Sequence, residues 1–200
     1  MKANLVLFDI GGVLLEYRNV FTTTAKELGF NVNYLYDTFD KYDDQITLGK
    51  ITPQELLELC VKEYQLPPIP QGYDFLTKWS LDFEIIMPTQ AFLQKICQQY
   101  HVGLLSNIYT GMFSVFIEHG LLPNIPYSYR FLSCDIGYKK PDESIFTYIE
   151  KETSLPGAEI LFIDDRQDYL TNAQQRNWQT HLFQRNSPEV SVNELKSLLL

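Results

Sequence analysis

Apolar and polar positions follow two rhythms along this chain, and the change of rhythm divides it. At the start, Leu5-Val6-Leu7-Phe8 is an unbroken apolar run that ends in Asp9, with glycine at 11 and 12. Four such residues bounded by a turn signal predict a buried strand, and the glycines permit a tight turn that leaves the carboxylate exposed at the strand end. An ordinary strand whose Asp accepts backbone amides fits the same residues. From residue 16 to residue 86 the spacing is helical, and almost nothing there reads as strand. A helix is expected over 19–28, closed by Gly29, and another over 33–42, opened by Asn33. Thr52-Pro53-Gln54-Glu55 is a capping box with proline at the first helical position, followed by Leu56, Leu57, Leu59, Cys60 and Val61 at helical spacing. Pro67-Pro68-Ile69-Pro70 is a stiff connector, and 74–83 reads as a further helix carrying Phe75, Leu76, Trp79 and Phe83.

After Pro88 strand and helix alternate. Strands are expected at 101–105, 130–134, 159–163 and 180–183. Helices are expected from Pro88 through Ile96, up to about Glu118, over 145–151 and over 169–176. Ser191-Val192-Asn193-Glu194, a second capping box, is expected to start a terminal helix. Such alternation predicts an α/β fold, a Rossmann-like doubly wound parallel sheet with helices on both faces. A βαβ unit needs only about 30 residues, whereas the first two strands are separated by far more, and the surplus is all helical. The expected division is therefore an α/β core of residues 1–15 and 87–200 with an inserted helical cap, 16–86, that closes over Asp9.

Composition narrows the function classes. The 200 residues are 45% hydrophobic and 20% charged, ordinary globular values. Sixteen basic against 25 acidic side chains leave a net charge of −9 and no Lys/Arg cluster, which argues against nucleic-acid or acidic-membrane partners. An anionic substrate must then be drawn by local charge, such as a metal ion. Cys60, Cys97 and Cys134 are odd in number and set among apolar residues, so they are expected to be reduced, in a cytoplasmic protein. A first strand beginning by about Asn4 leaves no room for a signal peptide, and no apolar run approaches ~18 residues.

The strand ends carry the chemistry. Asp9 ends the first strand, Ser106-Asn107 the second and Asp164-Asp165 the fourth. Gly137-Tyr138-Lys139-Lys140-Pro141 follows the third. In a parallel sheet these ends share one edge, so a nucleophile, a hydroxyl, a cation and paired acids converge there. Alone, Ser106-Asn107 reads as a helix N-cap and Lys139-Lys140 as a solvated turn. The adjacent acids are harder to dismiss, because two carboxylates after an apolar strand are costly unless paired or metal-bound. His101, His119 and His181 are isolated and read as structural.

Taken together, Phe8-Asp9-Ile10-Gly11-Gly12-Val13, Leu105-Ser106-Asn107, Gly137 to Pro141 and Phe162-Ile163-Asp164-Asp165 resemble, in order and spacing, the four motifs of the haloacid dehalogenase (HAD) superfamily of hydrolases. Any one of these motifs is unspecific; four in register are not. The resemblance covers essentially the whole chain, including a cap at the type-one insertion point. It is nearest to the branch of bacterial α-glucose-1-phosphate phosphatases, where Gly49-Lys50-Ile51-Thr52 also has a counterpart. It implies a Mg²⁺-dependent phosphatase acting on a small-molecule phosphate ester, sugar phosphates first, as a monomer or homodimer.

On that resemblance Asp9 is the nucleophile that forms an aspartyl-phosphate. Mg²⁺ is held by Asp9, the Gly11 backbone carbonyl and Asp164, with Asp165 as a ligand or as the orienter of one. Ser106 and the Asn107 amide hold phosphate oxygens, and Lys140, which precedes Pro141, is favoured over Lys139 as the charge-neutralising lysine. Tyr17 and Arg18, at the start of the cap, are the expected substrate contacts. Two departures stand out. The family's usual second Asp, the general acid–base two residues after the nucleophile, is here Gly11, and Glu16 is the nearest carboxylate to replace it. Tyr169 stands where the family usually has Asn. The dehalogenase branch also lacks the second Asp, but it needs no metal and does not usually keep the acidic pair. That branch and a catalytically weakened HAD-fold binding protein are the alternatives.

Overall fold

The computed structural model describes residues 3–200. Its strands are β1 (Leu5–Phe8), β2 (Leu15–Tyr17), β3 (Phe83–Ile85), β4 (His101–Ser106), β5 (Tyr129–Leu132), β6 (Ile160–Asp164) and β7 (Gln179–Leu182). Five form a parallel sheet in the order β5-β4-β1-β6-β7, with β1 at its centre, while β2 and β3 pair antiparallel as a separate ribbon. The expected doubly wound α/β core is present.

The unbroken apolar runs of β1 and β6 follow from burial on both faces. Successive side chains point to opposite sides of a strand. Val6, Phe8, Val102, Leu104, Leu161 and Ile163 therefore join one apolar cluster, and Leu5, Leu7, Leu105, Ile160 and Phe162 join the other. The first cluster includes α5 (Met87–Ile96) and α10 (Pro188–Leu199); the second is covered by α8 (Glu143–Thr153) and α9 (Gln167–Gln175).

Between β2 and β3 lie α1 (Val20–Leu28), α2 (Asn33–Thr47), α3 (Pro53–Glu63) and α4 (Phe75–Leu81). Gly29 closes α1 in the left-handed conformation, and the Thr52/Glu55 capping box opens α3 with both reciprocal bonds made. Phe21, Phe75 and Trp79 pack as an aromatic group whose Trp79 ring lies 4.6 Å from that of Tyr109, just past β4.

Four local expectations are corrected. Residues 83–85 are strand, because Phe83–Ile85 pairs with the distant residues 15–17; three residues are too few to show an alternation. Ser133 and Cys134 leave β5 and enter the short α7 (Ser133–Ile136). Asn33 does not cap α2; Asn31 Oδ1 accepts the Asn33 amide instead. The terminal helix starts at Pro188, and Ser191 lies inside it with its hydroxyl accepting the Gln184 amide. Cys60, Cys97 and Cys134 are free thiols, and no helix among the described residues is long and apolar enough to cross a membrane.

Candidate active site

Asp9 follows β1 at the middle of the sheet's carboxyl edge, where neighbouring strands deliver the other polar groups. Its amide donates to the Ile163 carbonyl, continuing the β1–β6 pairing, and Oδ1 accepts the Ile10 amide at 2.7 Å. Asp164 ends β6, and Oδ1 accepts the Arg166 amide at 2.8 Å. Asp9, Asp164 and Asp165 bring carboxylate oxygens within 4.8 Å of one another. Asp164 is fully buried and Asp9 nearly so.

Lys140 enters this group from the segment after α7. The residue is only 1% exposed, and its ammonium lies 2.5 Å from Asp164 Oδ2 and 3.1 Å from Asp9 Oδ2. Asp9 and Asp164 thus share a single buried ammonium, while Asp165, beside them, lies 3.5 Å from the Arg185 guanidinium. Burial and the charge of Asp9 push both Asp164 and Asp165 above the usual carboxylate range, against the pull of Lys140 on Asp164 and of Arg185 and Lys140 on Asp165. For Lys140 burial disfavours the charged form, but Asp164 and Asp9 outweigh it and hold the ammonium above its ordinary range. The excess of negative oxygen donors around one small space suits a hard divalent cation. The donor set fits Mg²⁺.

Asn107, whose amide is the expected phosphate donor, has its side chain committed to Lys140. Nδ2 donates to the Lys140 carbonyl and Oδ1 accepts the Lys140 amide, both at 2.8 Å. This reciprocal pair locks the lysine backbone in place. Ser106 is buried at the end of β4, on the same edge. Lys139, the lysine not favoured, points to the helical insert and pairs with Asp43 (3.2 Å) and Asp44 (2.5 Å) of α2.

The turn after Asp9 explains its two glycines differently. Gly12 has φ +79°, and a Cβ there would stand 2.5 Å from Asp165 Oδ2, so glycine is what allows Asp165 to approach. At Gly11 a Cβ would meet the Tyr17 ring at an ordinary 3.7 Å. The aromatic edge of Tyr17 therefore lies beside the position where the family's second Asp would project.

Glu16 is bound by Arg185, whose Nε donates to Oε2 at 3.3 Å and whose Nη2 contacts Oε1. Arg18 points elsewhere: it pairs with Glu84 of β3, and none of its contacts among the described residues reaches the acidic group. It is thus separated from Tyr17, with which it was grouped.

Two residues beyond the motifs belong to the site. The Tyr169 ring lies 4.8 Å from the Lys140 ammonium, and its hydroxyl is 3.4 Å from Asn107 Nδ2. The Tyr in place of Asn supplies a π-face for the buried cation. Arg185, after β7, has no sequence signal; only the parallel order of β6 and β7 brings it to this edge.

No family model matches the chain. Over 178 residues it is 27% identical to a D-ribitol-5-phosphate phosphatase of Bacteroides thetaiotaomicron, covering 80% of this chain and 82% of that one. It is 25% identical over 189 residues to the drimenol cyclase drtB of Aspergillus calidoustus, covering 90% of this chain but spanning only 34% of that protein's length. Among solved structures, a HAD family enzyme of Bacteroides thetaiotaomicron in complex with magnesium and inorganic phosphate superposes with a TM-score of 0.77 at 21% identity, over 92% of this chain and 95% of that one.

Proposed function

We propose that this chain, which has the fold of the haloacid dehalogenase (HAD) enzymes, is a Mg²⁺-dependent phosphatase that hydrolyses a small phosphorylated metabolite, sugar or polyol phosphates first. The observation that carries the reading is the cluster of Asp9, Asp164 and Asp165, the first two paired with the buried Lys140 ammonium, at the carboxyl edge of a parallel sheet. The similarity to a phosphatase of a polyol phosphate, and to a fold relative crystallised with magnesium and phosphate, supports it.

In this reading Asp9 attacks phosphorus and the ester oxygen leaves, so that one hydrolysis becomes two displacements through an aspartyl-phosphate. Asp9, Asp164, the Gly11 carbonyl and Asp165, directly or by orienting a ligand, would hold Mg²⁺, which when bound offsets the repulsion between the anionic nucleophile and the phosphate. Lys140, locked by Asn107, neutralises charge that develops on the phosphoryl oxygens, and Ser106 holds one of those oxygens. Residues 16–86 act as the cap and 1–15 with 87–200 as the core; the β2–β3 ribbon is where the chain passes between them. Tyr17 contacts the leaving group. Lacking the second Asp typically costs about 10²–10⁴-fold in rate, so the site is suited to esters whose leaving oxygen needs little protonation, with Glu16, held by Arg185, as the carboxylate that serves the hydrolytic step.

A phosphomonoester panel assayed with Mg²⁺ and with EDTA tests the reading. Metal-dependent phosphate release that disappears in Asp9→Asn is expected. Equal inertness of wild type and Asp9→Asn would sink the enzyme reading, and metal-free turnover of a chlorinated short acid would move it to a dehalogenase.

A further inference from the structure

Arg185 lies in the turn between β7 and α10 and gathers groups from two distant parts of the chain. Its Nη1 donates to the Tyr17 hydroxyl at 2.7 Å and lies 3.5 Å from Asp165 Oδ2. Nε and Nη2 are on the two oxygens of Glu16. The guanidinium carbon sits 4.5 Å from the Tyr17 ring centroid. A planar fork with five N–H donors serves such an array, whereas a lysine ammonium cannot meet both carboxylate oxygens and a phenol at once. Glu16 and Tyr17 belong to β2, the strand that leads out to the helical insert. Asp165 belongs to the acidic loop after β6 and rests against Gly12.

Two consequences follow from this placement. With its hydroxyl and its face both engaged by Arg185, Tyr17 keeps its ring edge beside Gly11, on the side of Asp9 left open by the absent second Asp. The positive charge near Asp165 also competes electrostatically with a divalent cation for the same group of carboxylates.

We propose that Arg185 is a positioning residue of this site. It fixes Glu16 and Tyr17 on the Gly11 side of the nucleophile and acts as counter-ion to Asp165, so that it raises turnover while weakening metal binding. The turnover half of this rests on the phosphatase reading; the metal half does not. A merely structural arginine would do neither, because its loss would loosen the acidic loop and weaken metal binding.

The experiment is a calorimetric titration of Mg²⁺ alone into wild type, Arg185→Ala and Arg185→Lys, followed by kcat and KM on the best ester of the panel. In Arg185→Ala, Mg²⁺ is expected to bind about three- to tenfold more tightly. Its kcat is expected to fall about tenfold or more with a smaller change in KM, and low guanidinium chloride should restore part of the loss. Arg185→Lys keeps the charge without the fork, so its Mg²⁺ affinity should stay near wild type while kcat falls. Unchanged or weaker Mg²⁺ binding in Arg185→Ala overturns the proposal, as does wild-type kcat in Arg185→Lys. Should Arg185→Ala fail to give a folded circular dichroism spectrum, Arg185→Gln takes its place as the charge-free variant: tighter Mg²⁺ binding supports the proposal, and unchanged or weaker binding overturns it. If wild type binds Mg²⁺ but hydrolyses no ester, the phosphatase reading fails. Tighter binding in Arg185→Ala then still supports the counter-ion role, and unchanged binding overturns it.

Discussion

Gly11 and Gly12 are adjacent, yet they constrain the turn after Asp9 in opposite ways. A methyl at Gly12 meets Asp165 at 2.5 Å with φ at +79°, while a methyl at Gly11 has only ordinary contact with Tyr17. Gly12→Ala should therefore lose at least about 1–2 kcal/mol from the left-handed backbone alone, and displace Asp165 besides. Gly11→Ala should stay within about 0.5 kcal/mol of wild type. Urea unfolding of both variants checks this; equal losses would mean that Asp165 does not depend on Gly12. The pair of glycines was visible in the sequence as a turn signal. Which of the two admits a carboxylate was not, because Asp165 lies some 150 positions further along the chain.

At the scale of elements, the contact between α2 and the Lys139–Lys140 segment joins the helical insert to the site. Lys139 reaches Asp43 and Asp44, and Gly49, just past α2 with φ +69°, comes so close to the Cys134 carbonyl that a Cβ would have no room. Ion pairs this exposed contribute about 0–1 kcal/mol. Replacing Asp43 and Asp44 together by Asn should thus leave the melting temperature almost unchanged. KM for the ester should nevertheless rise, because the adjacent Lys140 segment loses its tie to α2. Thermal melts and steady-state kinetics separate the two effects; unaltered KM would show the contact to be passive. The helices of the insert were legible from their spacing and caps. The β2–β3 ribbon was not, since its pairing joins residues 15–17 to 83–85 and neither stretch is long enough to display a period.

Across the whole molecule, β7 forms one edge of the sheet, and its His181 lies 3.7 Å from Glu194 of α10. Burial pushes His181 below its ordinary range, only partly opposed by Glu194 3.7 Å away, and its Nε2 has no hydrogen-bond partner among the described residues. A histidine whose folded pKa is depressed contributes stability that is complete above its unfolded value, about 6.5, and lost as pH falls through the lower folded value. Stability should therefore decline below about pH 6.5, and the decline should be shallower in His181→Gln. Denaturant midpoints measured from neutral to mildly acid pH test this; parallel curves for the two proteins would exclude His181 as the cause.

The sequence by itself determined the alternation of the five core strands with helices, the helical stretch between the first two of those strands, and the acids, hydroxyl and lysine that follow the strands. These features are written in local terms, as apolar period, caps and turn residues, so they can be read without knowing the partners. Tertiary structure decided what each polar group faces: that Asn107 serves Lys140, that Arg18 turns to Glu84, that Tyr169 supplies a ring to the buried ammonium, and that Arg185 gathers Glu16, Tyr17 and Asp165. The physical reason is the parallel sheet. It brings the carboxyl ends of strands far apart in sequence within a few ångströms of one another, and no local pattern encodes which side chains then share that space.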